Sequence, residues 1–148
     1  MMAEYFFSVT DKENIIKAIR NAETKCSGEI RVHVDEDCEI DPLDRAVEVF
    51  RLLGMEKTKL RNGVLFYVSV EDHKFAVIGD VGINMKVGND FWHEIRDIVL
   101  EEFKRNDYCG GLVKGIEKVG FALSSHFPYD SKNDANELTD EISFKNKK

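Results

Sequence analysis

Apolar and polar positions over residues 60–90 set out two strands back to back. Val64-Leu65-Phe66-Tyr67-Val68 is a near-continuous apolar run, the pattern of a strand covered on both faces. Phe75-Ala76-Val77-Ile78 is a second run, and the short polar stretch between them predicts a hairpin turning near Glu71-Asp72. Arg61-Asn62-Gly63 leads into this hairpin and Gly79-Asp80-Val81-Gly82 leads out of it. An antiparallel hairpin begins and ends at the same end of its sheet, so these polar residues and glycines gather at one pole. That pole is the candidate site.

The rest of the chain supplies the elements around the hairpin. Thr10-Asp11-Lys12-Glu13 has the form of a capping box, and Ile15, Ile19 and Ala22 mark one face of a helix running to about Thr24. Ser27-Gly28 breaks it, and residues 29–34 alternate as a strand with Ile30, Val32 and Val34 inward. Asp35, Glu36, Asp37 and Glu39 then read as a solvated acidic loop. Asp41 as N-cap and Pro42 at the first helical position open a second helix, its stripe drawn through Leu43, Val47, Phe50 and Leu53 and its end at Gly54. A strand, a crossover helix and a strand make a right-handed unit, so the strand at Ile30 is expected parallel to the one at Val64.

After Asp80 the pattern is irregular until Asn89 or Asp90 caps a third helix carrying Trp92, Ile95, Val99 and Phe103. Gly110-Gly111 reads as the break before a fourth helix with Leu112, Ile116, Val119 and Leu123, in which Gly115 and Gly120 allow close packing; Phe127-Pro128 stops it. Residues 1–128 form one domain, and 129–148 read as a polar, flexible tail, with a short docked helix over 137–143 as the alternative. The fold class is α/β: a small mixed sheet with a β-hairpin and about four flanking helices on both faces.

Composition narrows the function classes. The chain has 148 residues, 28 acids against 21 bases and a net charge of −7, which argues against nucleic acid, whose phosphates need clustered Lys and Arg. The odd, scattered cysteines Cys26, Cys38 and Cys109, without a secretory leader or an apolar run of membrane length, lead to the expectation of a cytoplasmic protein with reduced thiols and no membrane insertion. Cys26, His33 and Cys38 match no usual zinc spacing. Walker A, G-x-S-x-G and dinucleotide-binding patterns are missing, and the four histidines read as surface or satisfied structural residues.

Strand directions sort the remaining polar residues into two poles. The lower pole collects Glu29, Arg61, Asn62, Asp80 and Gly82, with Asp90 returning to it; oxygen donors on short loops suit a hard cation. Turn and cap roles explain the same Asp and Asn residues without any ligand. The upper pole holds Asp35-x-Asp37, which is similar to the motif of aspartate-nucleophile phosphatases of the haloacid dehalogenase type. Glu39 stands where Thr or Val belongs, and the hairpin sends Asp80 to the opposite pole, so that reading is set aside.

A longer ordered series of motifs resembles the TPM domain family. It comprises Ser27-Gly28-Glu29-Ile30-Arg31-Val32, Leu53-Gly54-Met55, Thr58-x-x-Arg61-Asn62-Gly63-Val64-Leu65, Phe75-Ala76-Val77-Ile78-Gly79-Asp80-x-Gly82-Ile83, Phe91-Trp92, Gly110-Gly111-Leu112 with Gly115-Ile116, and Phe127-Pro128. The resemblance implies a Rossmann-like α/β/α sandwich. It also implies kinship with a thylakoid acid phosphatase, a photosystem II repair factor and a receptor modulator, although the lumenal and receptor-linked roles do not transfer to this bare domain. Two readings follow. In the first, the chain is a metal-dependent phosphatase for phosphomonoesters, with Asp80, Asp90 and Glu29 holding a divalent cation, calcium ahead of magnesium. Arg61 and Asn62 are then its catalytic positions, Arg61 orienting the phosphate. In the second, it is a non-catalytic module that binds a cation or a protein partner.

Overall fold

The computed structural model describes residues 2–130 and 141–147. Among them a four-stranded mixed sheet has the order β3-β2-β1-β4. The strands are β1 (Glu29–Asp35), β2 (Gly63–Ser69), β3 (Lys74–Gly79) and β4 (Ser143–Lys145). Five α-helices accompany them: α1 (Val9–Glu23), α2 (Pro42–Leu52), α3 (Val81–Val87), α4 (Asn89–Lys104) and α5 (Tyr108–His126). β1 runs parallel to β2, with Ile30 opposite Val64, as the right-handed crossover through α2 requires. β2 and β3 form the antiparallel hairpin, Val64 opposite Gly79.

The two faces of the sheet are covered unequally. Ile30, Val32, Val34, Val64, Phe66, Val68, Phe75 and Val77 point to one side and pack with Ile15, Ile19, Ile95, Val99, Leu112, Ile116, Val119 and Leu123 of α1, α4 and α5. On the other side Leu65, Tyr67 and Ala76 meet Ala46, Val49 and Phe50 of α2, with Met55 and Cys38 beside them. The close packing expected at two glycines is present. A Cβ on Gly115 would lie 2.7 Å from Val99 Cγ2, and one on Gly120 would lie 2.7 Å from Ala22 Cβ.

Several boundaries differ from the sequence pattern, each for a local reason. α1 starts earlier: Ser8, not Thr10, is the N-cap, its hydroxyl accepting from the Asp11 amide at 3.0 Å. On α2 the buried stripe is Ala46, Val49 and Phe50 with Leu53 packed against it, whereas Leu43 and Val47 are exposed; the helix is rotated toward the sheet by about one residue position. The stretch after Asp80 is helical, α3 being capped by Asp80 itself, and Gly88 rather than Asn89 or Asp90 precedes α4. Gly110-Gly111 lies inside α5, which Asp107 caps by accepting from the Gly110 amide. Gly111 serves there as a close contact, since a Cβ would stand 2.9 Å from the Phe103 ring.

The C-terminal end also departs from a plain tail. Residues 143–145 pair parallel to β1, with His33 opposite Ser143 and Asp35 opposite Lys145. Asn146 accepts from the Ala3 amide at 2.6 Å and donates to Glu4, and Lys12 lies 5.3 Å above the Phe144 ring. The rest of that expectation, over 131–140, lies outside the described residues.

α3 is fixed to the turn before β2 by backbone contact. The Gly82 amide donates to the Arg61 carbonyl at 2.8 Å, and a Cβ on Gly82 would fall 2.1 Å from the Leu60 carbonyl oxygen. Gly82→Ala is therefore expected to force the turn and helix apart and to cost about 1–3 kcal/mol, the usual range for overpacking. A lowered midpoint with unchanged slope in urea unfolding would verify this, and an unchanged midpoint would show that the contact is not constraining.

Candidate functional site

The lower pole is built by the two ends of the hairpin. The Asp80 amide donates to the Gly63 carbonyl at 2.9 Å, which closes the ladder at this end. Thr58 to Arg61 forms a turn through the Arg61 amide and the Thr58 carbonyl, 3.2 Å apart, and Arg61 sits in left-handed backbone at φ 51°. From there its side chain reaches Asp80: Nε donates to Oδ2 at 2.6 Å and Nη2 to Oδ1 at 2.8 Å. Oδ1 also accepts from the Val81 amide at 2.8 Å. One buried carboxylate thus holds an arginine in a two-point fork and caps α3. The hydrogen bond to Asp80 raises the guanidinium pKa further above its already high value.

Asn62 is the unusual member. Its side chain is 1% exposed, yet neither its carboxamide oxygen nor its nitrogen has a hydrogen-bond partner among the described residues. The buried Thr58 hydroxyl is likewise unpartnered. Such groups normally find a partner, because desolvation without one costs about 1–3 kcal/mol each. Glu29 is buried at the start of β1, with its Cα opposite that of Gly63. The structure therefore brings Glu29, Arg61, Asn62 and Asp80 to one end of the sheet. Asp90 stands exposed in the first turn of α4, where an acid faces the positive end of the helix dipole. Among the described residues no three His, Cys, Asp or Glu side chains gather as a metal-binding group.

A second polar centre lies at the opposite end, where the sequence suggested a solvated acidic loop. Asp35 is 3% exposed. Its Oδ2 accepts from Arg45 Nε of α2 at 2.8 Å and from the Tyr67 hydroxyl of β2 at 2.7 Å. Its Oδ1 lies 2.7 Å from His33 Nε2, and His33 Nδ1 lies 2.7 Å from Ser143 Oγ of β4. An ionised carboxylate only accepts, so His33 Nε2 carries a proton and donates to Asp35, while Nδ1 pairs with the Ser143 hydroxyl. Burial alone would raise the Asp35 pKa, but the hydrogen bonds from His33, Arg45 and Tyr67 outweigh it and hold the group far below the usual carboxylate range. Burial and the same carboxylate push the Tyr67 phenol well above its ordinary value.

The signal for this second centre was present in the strand pattern. Glu29, Arg31, His33 and Asp35 alternate with Ile30, Val32 and Val34, so they share one face. The structure buries that face for most of its length as well. Ser143, His33 and Asp35 form a hydrogen-bonded chain, but its members also tie β4, β1, β2 and α2 together. Above it opens a cleft of about 500 Å³ lined by Asp37, Glu39, Glu48, Arg45 and Lys145.

With the fold and both centres defined, likeness to other proteins can be placed. The α/β/α sandwich with an Arg-Asn-Gly entry and a Gly-Asp exit at one pole defines the class. The family model of the TPM domain matches residues 3–121, and the chain belongs to that family. Among solved structures it is similar to the BA42 protein of the psychrophilic bacterium Bizionia argentinensis, determined by NMR. The two share 48% identity at a TM-score of 0.88, over 95% of this chain and 97% of that one. Two further NMR structures share the fold. They are the N-terminal domain of a protein from P. gingivalis (18% identity, TM-score 0.69, 85% and 83% covered) and that of a Corynebacterium glutamicum protein (17%, 0.65, 81% and 76%). No curated protein matches the sequence.

Asp35 gives a pH-dependent prediction. Its folded pKa is depressed, so its contribution to stability is complete above its unfolded value of about 4 and is lost as pH falls toward the folded pKa. Asp35→Asn is expected to cost about 3 kcal/mol or more at neutral pH, because Arg45 loses its buried counter-charge and keeps only the exposed Glu48 at 3.6 Å. The variant should also lose stability less steeply below about pH 4. Urea unfolding of both proteins across that range checks it; parallel acid limbs would show that Asp35 does not carry the dependence.

Proposed function

We propose that this chain is a non-catalytic TPM module whose lower pole binds a divalent cation, calcium ahead of magnesium. The observation that carries the reading is the buried Asn62 carboxamide with both ends unpartnered among the described residues; the Thr58 hydroxyl, in the turn that precedes it, is buried and unpartnered there too. Together with the Glu29 and Asp80 carboxylates, these residues offer an all-oxygen donor set, the chemistry a hard cation prefers. Arg61 already neutralises Asp80, so a cation competes with the guanidinium and its arrival releases Arg61 from the carboxylate. Binding and a change in the Arg61 side chain are then one event.

A catalytic alternative rests on a different feature of the same residue. Arg61 is nearly half exposed and keeps part of its guanidinium free to meet a phosphomonoester, with Asn62 beside it as the second catalytic position. In that reading the cation held near Asp80 would stabilise charge on the phosphate oxygens.

Calcium and magnesium titration followed through amide chemical shifts tests the proposal. Saturable shifts at Glu29, Asn62, Asp80 and Gly82 are expected, lost in Asp80→Asn and appearing at lower calcium in Arg61→Gln, where the competing charge is gone. Shifts confined to residues 35–39 would move the site to the other pole, and absence of any saturable shift would remove the cation. Hydrolysis of a generic phosphomonoester is expected to stay at the level of a metal-only blank. Turnover above it that Asp80→Asn abolishes would establish the catalytic alternative.

A further inference from the structure

We propose that Ser143 is a nucleophile, with His33 as its base, and that it accepts an acyl group from an activated ester. β4 supplies the serine, and β1 supplies His33 and Asp35. Ser143 Oγ lies 2.7 Å from His33 Nδ1, and His33 Nε2 lies 2.7 Å from Asp35 Oδ1. A hydroxyl on a base, with the base oriented by a third group, is the arrangement that activates serine. A serine with only a structural task needs no more than a carbonyl to bond. The Val32 carbonyl stands 3.4 Å from Ser143 Oγ, yet the shorter contact is to the imidazole.

The surroundings suit each member of the chain. Arg45 and Tyr67 fix the buried Asp35 carboxylate through Oδ2, and Oδ1 meets His33. Asp35 therefore orients the ring through Nε2 and stabilises the imidazolium that forms during attack. With the proton of the neutral ring on Nε2, the lone pair is on Nδ1, the atom that faces the serine. Ser143 is partly exposed on the edge strand of the sheet. Alternate residues of a strand share a face, so Ser143 is on the same side as Lys145, which lines the cleft of about 500 Å³ together with Asp35. Arg31 precedes His33 by two residues on that face of β1. Its Nε is buried without a partner among the described residues, and its charge interacts with Glu141, two residues before Ser143. The guanidinium brings positive charge to the side on which an oxyanion develops.

The step balances with the ester as its one co-reactant. Ser143 Oγ bonds to the acyl carbon while its proton passes to His33 Nδ1. The tetrahedral intermediate collapses, the bond to the leaving oxygen breaks, and His33 returns the proton to that oxygen. The products are an ester on Ser143 and a free alcohol. The acylated serine has no hydrogen left to donate, so its hydrogen bond to neutral His33 is lost. One transfer per chain is a modification of the protein; it requires no turnover and is independent of the cation proposed for the opposite pole.

Acetylation of the full chain by p-nitrophenyl acetate at neutral pH, with chelator present, tests this. Peptide mapping by mass spectrometry is expected to place the first acetyl group on Ser143. His33→Gln should slow that labelling about 100-fold or more, the usual contribution of a general base, and Ser143→Ala should remove it. An unchanged amide spectrum would show that each variant is folded. The native chain in urea gives a comparison that needs no variant: unfolding separates Ser143 from His33, and selective labelling should vanish. Acetyl groups on lysines with Ser143 unmodified would overturn the proposal. So would Ser143 labelling that is equally fast in folded His33→Gln or that persists in urea.

Discussion

The buried carboxylate of Asp35 is the interaction on which the upper half of the molecule depends. It sits at the end of β1 and accepts from α2 through Arg45, from β2 through Tyr67 and from its own strand through His33, which in turn holds β4 through Ser143. A carboxylate out of water is costly unless its lone pairs are filled, and here both oxygens are. The consequence is geometric as much as energetic. α2 is the single α-helix packed on its face of the sheet among the described residues, and its apolar contact with Leu65, Tyr67 and Ala76 could be made at several rotations. The Arg45–Asp35 pair selects one, and that choice leaves Leu43 and Val47 in solvent.

A parallel device operates at the other end, with Arg61 and Asp80 in place of Arg45 and Asp35. There the ion pair joins a turn to a helix instead of a helix to a sheet, and Arg61 accepts left-handed backbone to complete it. Next to Arg61 in the chain, the Asn62 carboxamide is buried without a partner among the described residues. One end of the sheet is therefore fully satisfied and the other carries unused hydrogen-bonding capacity. That contrast separates a structural centre from a candidate binding site more clearly than residue type does, since both ends hold arginine, aspartate and neighbouring acids.

Much of this was legible in the chain itself. The apolar runs of β2 and β3 and the Asp41-Pro42 cap fixed the hairpin, the parallel crossover and hence the separation of the two poles. The family motifs fell on the lower-pole residues that strand direction had already grouped. What stayed hidden had physical causes. Alternation in β1 marks Ile30, Val32 and Val34 as inward and says nothing of the other set, but in a sheet covered on both sides the polar set can be buried too, as His33 and Asp35 are. α3 escaped because Gly82 and Asn84 dilute its pattern, and its first turn is stabilised by Asp80 and by backbone contact with Arg61, neither of which has a periodicity. β4 is three residues long and takes its partners from β1, so nothing local distinguishes it from the polar sequence around it.

The docking of β4 also decides where the ends of the chain lie. Ala3 and Asn146 are hydrogen-bonded to each other, and the Lys147 amide donates to Glu36 just beyond the upper end of β1. Entry and exit of the described chain thus share one corner, the property that lets a domain be inserted into or appended to another polypeptide without strain. A linker fused at either end would leave from the acidic pole. The domain would hang from it like a lamp from a bracket, with the α3 pole turned outward and unobstructed.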